Sequence, residues 1–324
     1  MKNDTILEKT MLTPVMGDGL PQPLLELLHN DYQVFDWDVS EASEALQVCT
    51  AVIAYGHPTV DANLMDRMPC LRVISNHGVG VDHVDVAAAT QRGIPVGNTP
   101  GCLDDATADM TMSLLMASAR NIVVGDHYAR GPDFLHYDPA LLIGHEVTGS
   151  TLGIIGMGRI GKKVAHRARA FSMPLLYHNR NRDTAAEVEL GVAYRSLEDL
   201  LRQSDFVVLN CPLTDETTGM IGKAQLELMK PTATLVNMAR GPVVVTADLY
   251  ETLTAGRIRG AALDVTDPEP LPRDHPLLTL DNLVIAPHLG SASQRTRQRM
   301  MDMTVENMAA GLAAQELPYR VHSN

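Results

Sequence analysis

The stretch TLGIIGMGRIGKKVAHRARAF, residues 151–171 of a 324-residue chain, decides how the rest of the sequence reads. A short apolar run at 151–155 enters Gly156-Met157-Gly158-Arg159-Ile160-Gly161 and continues into a helix-like segment at 162–171. Strand, Gly-x-Gly-x-x-Gly turn and helix are the parts of a dinucleotide-binding βα unit. In that reading Gly156 makes the tight turn, Gly158 lets the backbone approach a pyrophosphate, and Gly161 lets helix and strand pack closely. Arg159 and Ile160 open the helix, whose first N–H groups face the phosphates. Glycine-rich turns also arise for conformational reasons alone. The hexapeptide counts because a strand precedes it, a helix follows, and another strand is expected at 174–178.

The end of that next strand bears on which nucleotide is read. An acid for the adenosine ribose is expected about 20 residues past the glycines. Here the chain reads Tyr177-His178-Asn179-Arg180-Asn181-Arg182, with no acid before Asp183. A carboxylate would repel a 2′-phosphate. Asn179 removes that repulsion, and Arg180 and Arg182 offer charge-assisted hydrogen bonds to the phosphate. NADPH is therefore expected in preference to NADH, with NADH possible. Two solvated arginines on a loop are the plainer alternative.

Outward from this unit, short β-branched runs alternate with amphipathic stretches from end to end. Strands are expected at 11–16, 33–35, 50–55, 71–76 and 94–97, then at 151–156, 174–178, 206–210, 234–238, 261–265 and 283–286. Near-continuous apolar runs of this kind fit parallel sheets covered on both faces. The expected fold class is α/β, two doubly wound Rossmann-like domains. A helix at 104–121 would cross from one half to the other, and a late helix at 292–311 would bring the chain back. Residues 1–103 with 289–324 are then the substrate domain, and 104–288 a dinucleotide-binding domain inserted into it.

Composition narrows the partners. With 26 Lys+Arg against 39 Asp+Glu the net charge is -13, which argues against nucleic acid or anionic membrane as the main ligand. No 18-residue apolar run occurs and MKNDTILEKT lacks a leader's apolar core, so a cytoplasmic protein is expected. Cys49, Cys70, Cys102 and Cys211 are scattered, which fits a reducing compartment and gives no structural zinc; no metal is expected.

Three further segments carry chemistry: Asn237-Met238-Ala239-Arg240-Gly241, then 264–270 with Asp264 and Glu269, then Pro287-His288-Leu289-Gly290-Ser291. Each follows an apolar strand, so each belongs at the carboxyl edge of the sheet, where open α/β folds bind ligands. An arginine there can grip a carboxylate bidentately. A histidine can protonate an oxygen that becomes alkoxide as hydride arrives, and a glutamate can orient and charge that histidine. These are the groups a 2-keto acid reductase needs. Singly, each also reads as a turn residue, a surface ion pair or a structural histidine.

These residues carry a family resemblance. LDVTDPEPLPRDHPLLTLDNLVIAPHLGSAS (263–293), VNMARGPVV (236–244) and GIIGMGRIG (153–161) resemble the D-2-hydroxyacid dehydrogenases, within them the glyoxylate reductase/hydroxypyruvate reductase branch. The likeness covers nearly the whole chain after about residue 40. It implies that Arg240 binds substrate, that Glu269 orients and that His288 is the acid/base. It implies that the N–H groups of Val79 and Gly80, in Asn76–His83, receive the substrate carboxylate, with Ser291 a further substrate contact. Thr107, Pro212, Met238, Asp264 and Gly290 match cofactor-lining positions.

The implied substrate is a small anionic 2-keto acid such as hydroxypyruvate, glyoxylate or 2-ketogluconate, and the implied assembly a homodimer. The branch often has a tryptophan before the cofactor domain, whereas 134–144 offers only Phe134 and Tyr137. Gly56 stands where relatives place a bulky aliphatic, which points to a substrate larger than glyoxylate. A nucleotide-sensing corepressor on the same fold is the alternative of another class.

Overall fold

The computed structural model describes residues 12–322. Met11, the first residue of the expected 11–16 strand, and the decapeptide read for a leader lie outside the described residues. The chain divides into two compact units, one built from the chain up to Cys102 and from Gln294 onward, the other from Leu103–Ser293.

The first unit holds five parallel strands: β1 (Thr13–Met16), β2 (Tyr32–Phe35), β3 (Ala51–Ala54), β4 (Val73–Asn76) and β5 (Val96–Gly97), in the order β2-β1-β3-β4-β5. Side chains alternate along each strand, so a strand buried on both faces feeds two cores. Val52 and Ile74 pack with Leu64, Met65 and Ala89 of the helices on one face. Ala51, Ile53 and Val73 pack with Leu24, Leu28, Met301 and Met308 on the other. The last two belong to the helix Gln294–Leu312, so this sheet is completed by residues more than two hundred positions away.

That helix is tied down by polar bonds as well. Ser75 Oγ donates to the Thr304 carbonyl (2.7 Å), and the fully buried Asn307 donates from Nδ2 to the Asn98 carbonyl (3.0 Å). Gly97 is required there, because a Cβ would lie 2.5 Å from Asn307 Cγ.

The second unit holds seven parallel strands: β6 (Leu152–Ile155), β7 (Leu175–His178), β8 (Ala193–Tyr194), β9 (Phe206–Leu209), β10 (Thr234–Asn237), β11 (Gly260–Leu263) and β12 (Leu283–Ile285). Their order is β12-β11-β10-β9-β6-β7-β8, a doubly wound sheet that reverses direction between β6 and β9. The two-residue β8 is too short to leave a periodic signal, and the sequence does not announce it. Helix Asp104–Ala119 lies along helix Arg159–Ala168, with Asp104–Arg159 (3.2 Å), Asp105–Lys163 (3.2 Å) and Asp109–Arg167 (2.7 Å) ion pairs between them.

His77, buried just past β4, has Nδ1 3.1 Å from Thr304 Oγ1, whose own proton goes to the Met300 carbonyl. The imidazole is therefore the donor, from Nδ1. Burial, reinforced by the charge of Arg297, holds its pKa down at about 4. The unfolded chain takes up this proton at about pH 6.5, so between pH 6.5 and 4 the unfolded state binds more protons and folding weakens as pH falls. The urea midpoint of the wild type is expected to drop from pH 7 to pH 4.5. His77→Gln should remove a component on the order of 2 kcal/mol of that pH dependence.

Candidate active site

The reversal between β6 and β9 is where the glycine turn sits. Gly156 has φ +98°, and a Cβ on it would lie 2.5 Å from the backbone nitrogen of Cys211, just past β9. A Cβ on Gly161 would run into the Gly156 carbonyl. Gly158 differs: it caps the helix, it is exposed, and a Cβ there would meet no protein atom within 4 Å. Two glycines are thus demanded by the protein's own backbone, whereas the third borders open space. The first helical N–H groups, at Arg159, Ile160 and Gly161, have no acceptor among the described residues. A diphosphate fits this arrangement, since it supplies acceptors where the donors stand and needs the room that Gly158 leaves.

Asn179, past β7, accepts the Met157 N–H on Oδ1 at 2.7 Å, so it braces the turn from the end of the next strand. Arg182 is committed elsewhere. It makes a bidentate pair with Glu187 (2.7 Å from both Nε and Nη2), and Glu187 also accepts from the Tyr177 hydroxyl (2.8 Å). These hydrogen bonds hold the Glu187 carboxyl down at about 2. Arg180 is exposed and makes no hydrogen bond or ion pair among the described residues; its charge is felt at Glu216. Pro212 is exposed beside Cys211, whose thiol is pushed up to about 11 by burial.

The other strand ends of this sheet are tied together by Asp264, which is 2% exposed at the end of β11. Its Oδ1 accepts the Leu289 N–H and its Oδ2 the Gly290 N–H, both at 2.7 Å, while its carbonyl accepts the His288 N–H at 2.9 Å. Burial raises the Asp264 carboxyl above the usual range, and the two N–H donors oppose that rise. A Cβ on Gly290 would fall 3.1 Å from Asp264 Oδ2, 3.4 Å from Met238 Cε and 3.5 Å from Thr107 Cγ2. Four residues expected to line a cofactor are therefore neighbours. Thr107 is not back-bonded through its own hydroxyl; Thr111 instead donates to the Thr107 carbonyl (2.7 Å).

His288 then stands with φ +55° and places Nδ1 2.6 Å from Glu269 Oε1. Both are about one-third exposed. Arg240 leaves the end of the neighbouring β10, shaped by Asn237: Oδ1 accepts the Ala239 N–H (3.0 Å) and Nδ2 donates to the Arg240 carbonyl (2.9 Å). Gly241 seats this loop against the one that carries Glu269, since a Cβ would strike the Thr266 carbonyl. Asn237 was not picked out from the sequence, although an asparagine just before a sharp turn is the signal of such a side-chain cap. Ser291 is half-buried one residue past Gly290.

Val79 and Gly80 belong to the other unit, in the loop after β4. Gly56, also in that unit, has φ +74°, so its left-handed backbone alone accounts for glycine there. No group of three or more metal-binding side chains occurs among the described residues.

An imidazole held by a carboxylate and a glycine turn that fits a diphosphate thus lie at strand ends of one sheet, a combination that a dehydrogenase would use. The family model described as "D-isomer specific 2-hydroxyacid dehydrogenase, NAD binding domain" matches residues 112–290. A glyoxylate reductase of Korarchaeum cryptofilum is 49% identical over 268 residues, 82% of this chain and 81% of that one. Another, from Aeropyrum pernix, is 45% identical over 300 residues, 88% of each. The crystal structure of an NADPH-dependent glyoxylate/hydroxypyruvate reductase from Sinorhizobium meliloti, in complex with NADP and malonate, superposes with a TM-score of 0.88 at 29% identity over 96% of each chain. The chain belongs to the D-isomer specific 2-hydroxyacid dehydrogenase family, among relatives named glyoxylate reductase.

The glycines give a paired test. Gly161→Val is expected to destabilise the protein by about 1–3 kcal/mol through overpacking, read as a lowered Tm. Gly158→Ala should leave Tm unchanged and weaken NADPH binding, read by fluorescence titration.

Proposed function

We propose that this protein reduces a small 2-keto acid, of the glyoxylate or hydroxypyruvate type, to the D-2-hydroxy acid with NAD(P)H. The reading rests on one observation above all: the 2.6 Å Glu269–His288 pair at the edge of a sheet that also carries a fitted dinucleotide turn. The turn at Gly156–Gly161 would hold the diphosphate, with Thr107, Pro212, Met238, Asp264 and Gly290 lining the rest. The reduced nicotinamide, when bound, supplies the hydride for C2 of the keto acid.

The chain's own residues do the remainder. The Arg240 guanidinium grips the substrate carboxylate, and a two-pronged grip fixes which face of the keto group is presented. Val79 and Gly80 offer N–H groups to a carboxylate, and Ser291 contributes a hydroxyl. His288 has Nδ1 turned to Glu269, so the proton is given to the C2 oxygen from Nε2. Glu269 holds the ring by its contact with Nδ1, which leaves Nε2 to serve the C2 oxygen.

We assign the preference for NADPH to Arg180, because Glu187 neutralises Arg182. The Asn179 side chain brings no charge to repel a 2′-phosphate. We place the activity in a cytoplasmic homodimer; exposed Leu135, Tyr137 and Ile143 are apolar surface that a second copy would cover.

His288→Ala is expected to lower kcat by about 10²–10⁴-fold with the Kd for NADPH unchanged. Undiminished turnover would remove His288 from the proton step, and no turnover with any keto acid in the wild type would favour a nucleotide-sensing binding protein. Arg180→Ala should lower kcat/KM with NADPH by about tenfold or more relative to NADH, as fits the loss of a charge-assisted hydrogen bond. Arg182→Ala should change that ratio far less.

A further inference from the structure

The loop after β4 turns three successive carbonyls inward. Gly78 O accepts from the Thr99 N–H and from Asn76 Nδ2, both at 3.0 Å. Val79 O accepts from Asn98 Nδ2 at 2.8 Å, and Gly80 O from Asn76 Nδ2 at 2.8 Å. The N–H groups of Val79 and Gly80 have no acceptor among the described residues. A trans peptide keeps its C=O and N–H on opposite sides, so a group that grips the Gly78 carbonyl aims the Val79 N–H, and one that grips the Val79 carbonyl aims the Gly80 N–H. Backbone and Asn76 share the first grip. Among the described residues, Asn98 alone provides the second.

Both asparagines are themselves held. Asn98 donates its backbone N–H to the Tyr319 carbonyl (3.1 Å), and its own carbonyl accepts from Asn307 Nδ2 (3.0 Å), so its side chain extends from a fixed backbone. Asn76 is 1% exposed, and its Oδ1 lies 2.8 Å from His83 Nε2. Because Asn76 Nδ2 is committed to two carbonyls, His83 Nε2 is the donor in that contact, which fixes which way the Asn76 amide faces.

We propose that Asn98 is a positioning residue for anion recognition: it holds the Val79 carbonyl so that the Gly80 N–H stays aimed at a ligand carboxylate, as Asn76 does for the Val79 N–H. The inference rests on the reading of these two amides as carboxylate receptors and extends it to side chains that need not touch the ligand. Without Asn98 the 79–80 peptide can rotate, and its N–H spends part of its time turned away. The loss falls on carboxylate affinity, because this peptide holds the carboxylate and moves no proton.

The test is Asn98→Ala assayed with NADPH and glyoxylate or hydroxypyruvate. KM for the keto acid is expected to rise about tenfold or more, as fits a weakened hydrogen bond to a charged group, with kcat within about threefold. The Kd for NADPH, read by fluorescence titration, should stay unchanged. An unchanged KM, or an NADPH Kd weakened by the same factor, overturns the proposal. Should Asn98→Ala fail to fold, two variants of His83 decide. His83→Leu removes the donor that orients Asn76 and should raise KM, whereas the amide of His83→Gln restores a donor and should bring KM back toward wild type. Equal KM values in the two overturn the proposal. Wild-type protein that turns over no 2-keto acid overturns the underlying reading instead, which keeps the two failures apart.

Discussion

One buried carboxylate holds together the carboxyl edge of the larger sheet. Asp264 follows β11, gives its N–H to the Asn237 carbonyl of β10, and takes three N–H groups from the segment after β12: those of Leu289 and Gly290 on its two carboxylate oxygens and that of His288 on its carbonyl. Removing a carboxylate from water is costly, and burial raises its pKa accordingly. Two charge-assisted bonds of 2.7 Å offset much of that cost and in return dictate the path of the backbone. His288 is held in the left-handed region, which a non-glycine residue keeps only where its surroundings insist. The imidazole therefore meets Glu269 because its main chain has been placed from behind.

How legible was this in the sequence? The two α/β units, the order strand, glycine turn, helix, and the placing of Arg240, Glu269 and His288 at strand ends all follow from periodicity and spacing, which depend on local chemistry. Legibility failed where a side chain bonds a backbone group of its own or another loop. Asn76, Asn98 and Asn237 work by gripping carbonyls and N–H groups whose directions exist only once the loops are folded. Arg182 and Glu187 are both visible as charges. Their pairing depends on a helix beginning at Thr184 and turning Glu187 back toward the loop. Gly56 reads as space for a substrate; a Cβ there would meet nothing within 4 Å, and its φ of +74° adds a backbone reason for glycine that the sequence does not show.

The electrostatics also come out differently from a count of charges. A chain with net charge -13 must attract anionic ligands locally. Most cations near the glycine turn are already neutralised: Arg159 by Asp104, Lys162 by Asp183, Lys163 by Asp105 and Arg182 by Glu187. What is left to meet a diphosphate is mainly backbone, the first N–H groups of a helix, with Arg180 nearby. The Val79–Gly80 loop repeats the solution in the other unit. Backbone donors are fixed in place by the fold, so they lose little freedom when a ligand arrives.

Cys211 shares this neighbourhood, one residue past Asn210 and with its backbone nitrogen against Gly156. With its pKa pushed up to about 11, roughly one molecule in ten thousand carries the thiolate there at neutral pH. Alkylating and oxidising agents attack thiolates, so this thiol offers them little to react with. The desolvation that holds this thiol neutral thus shelters the turn beside it from chemical damage.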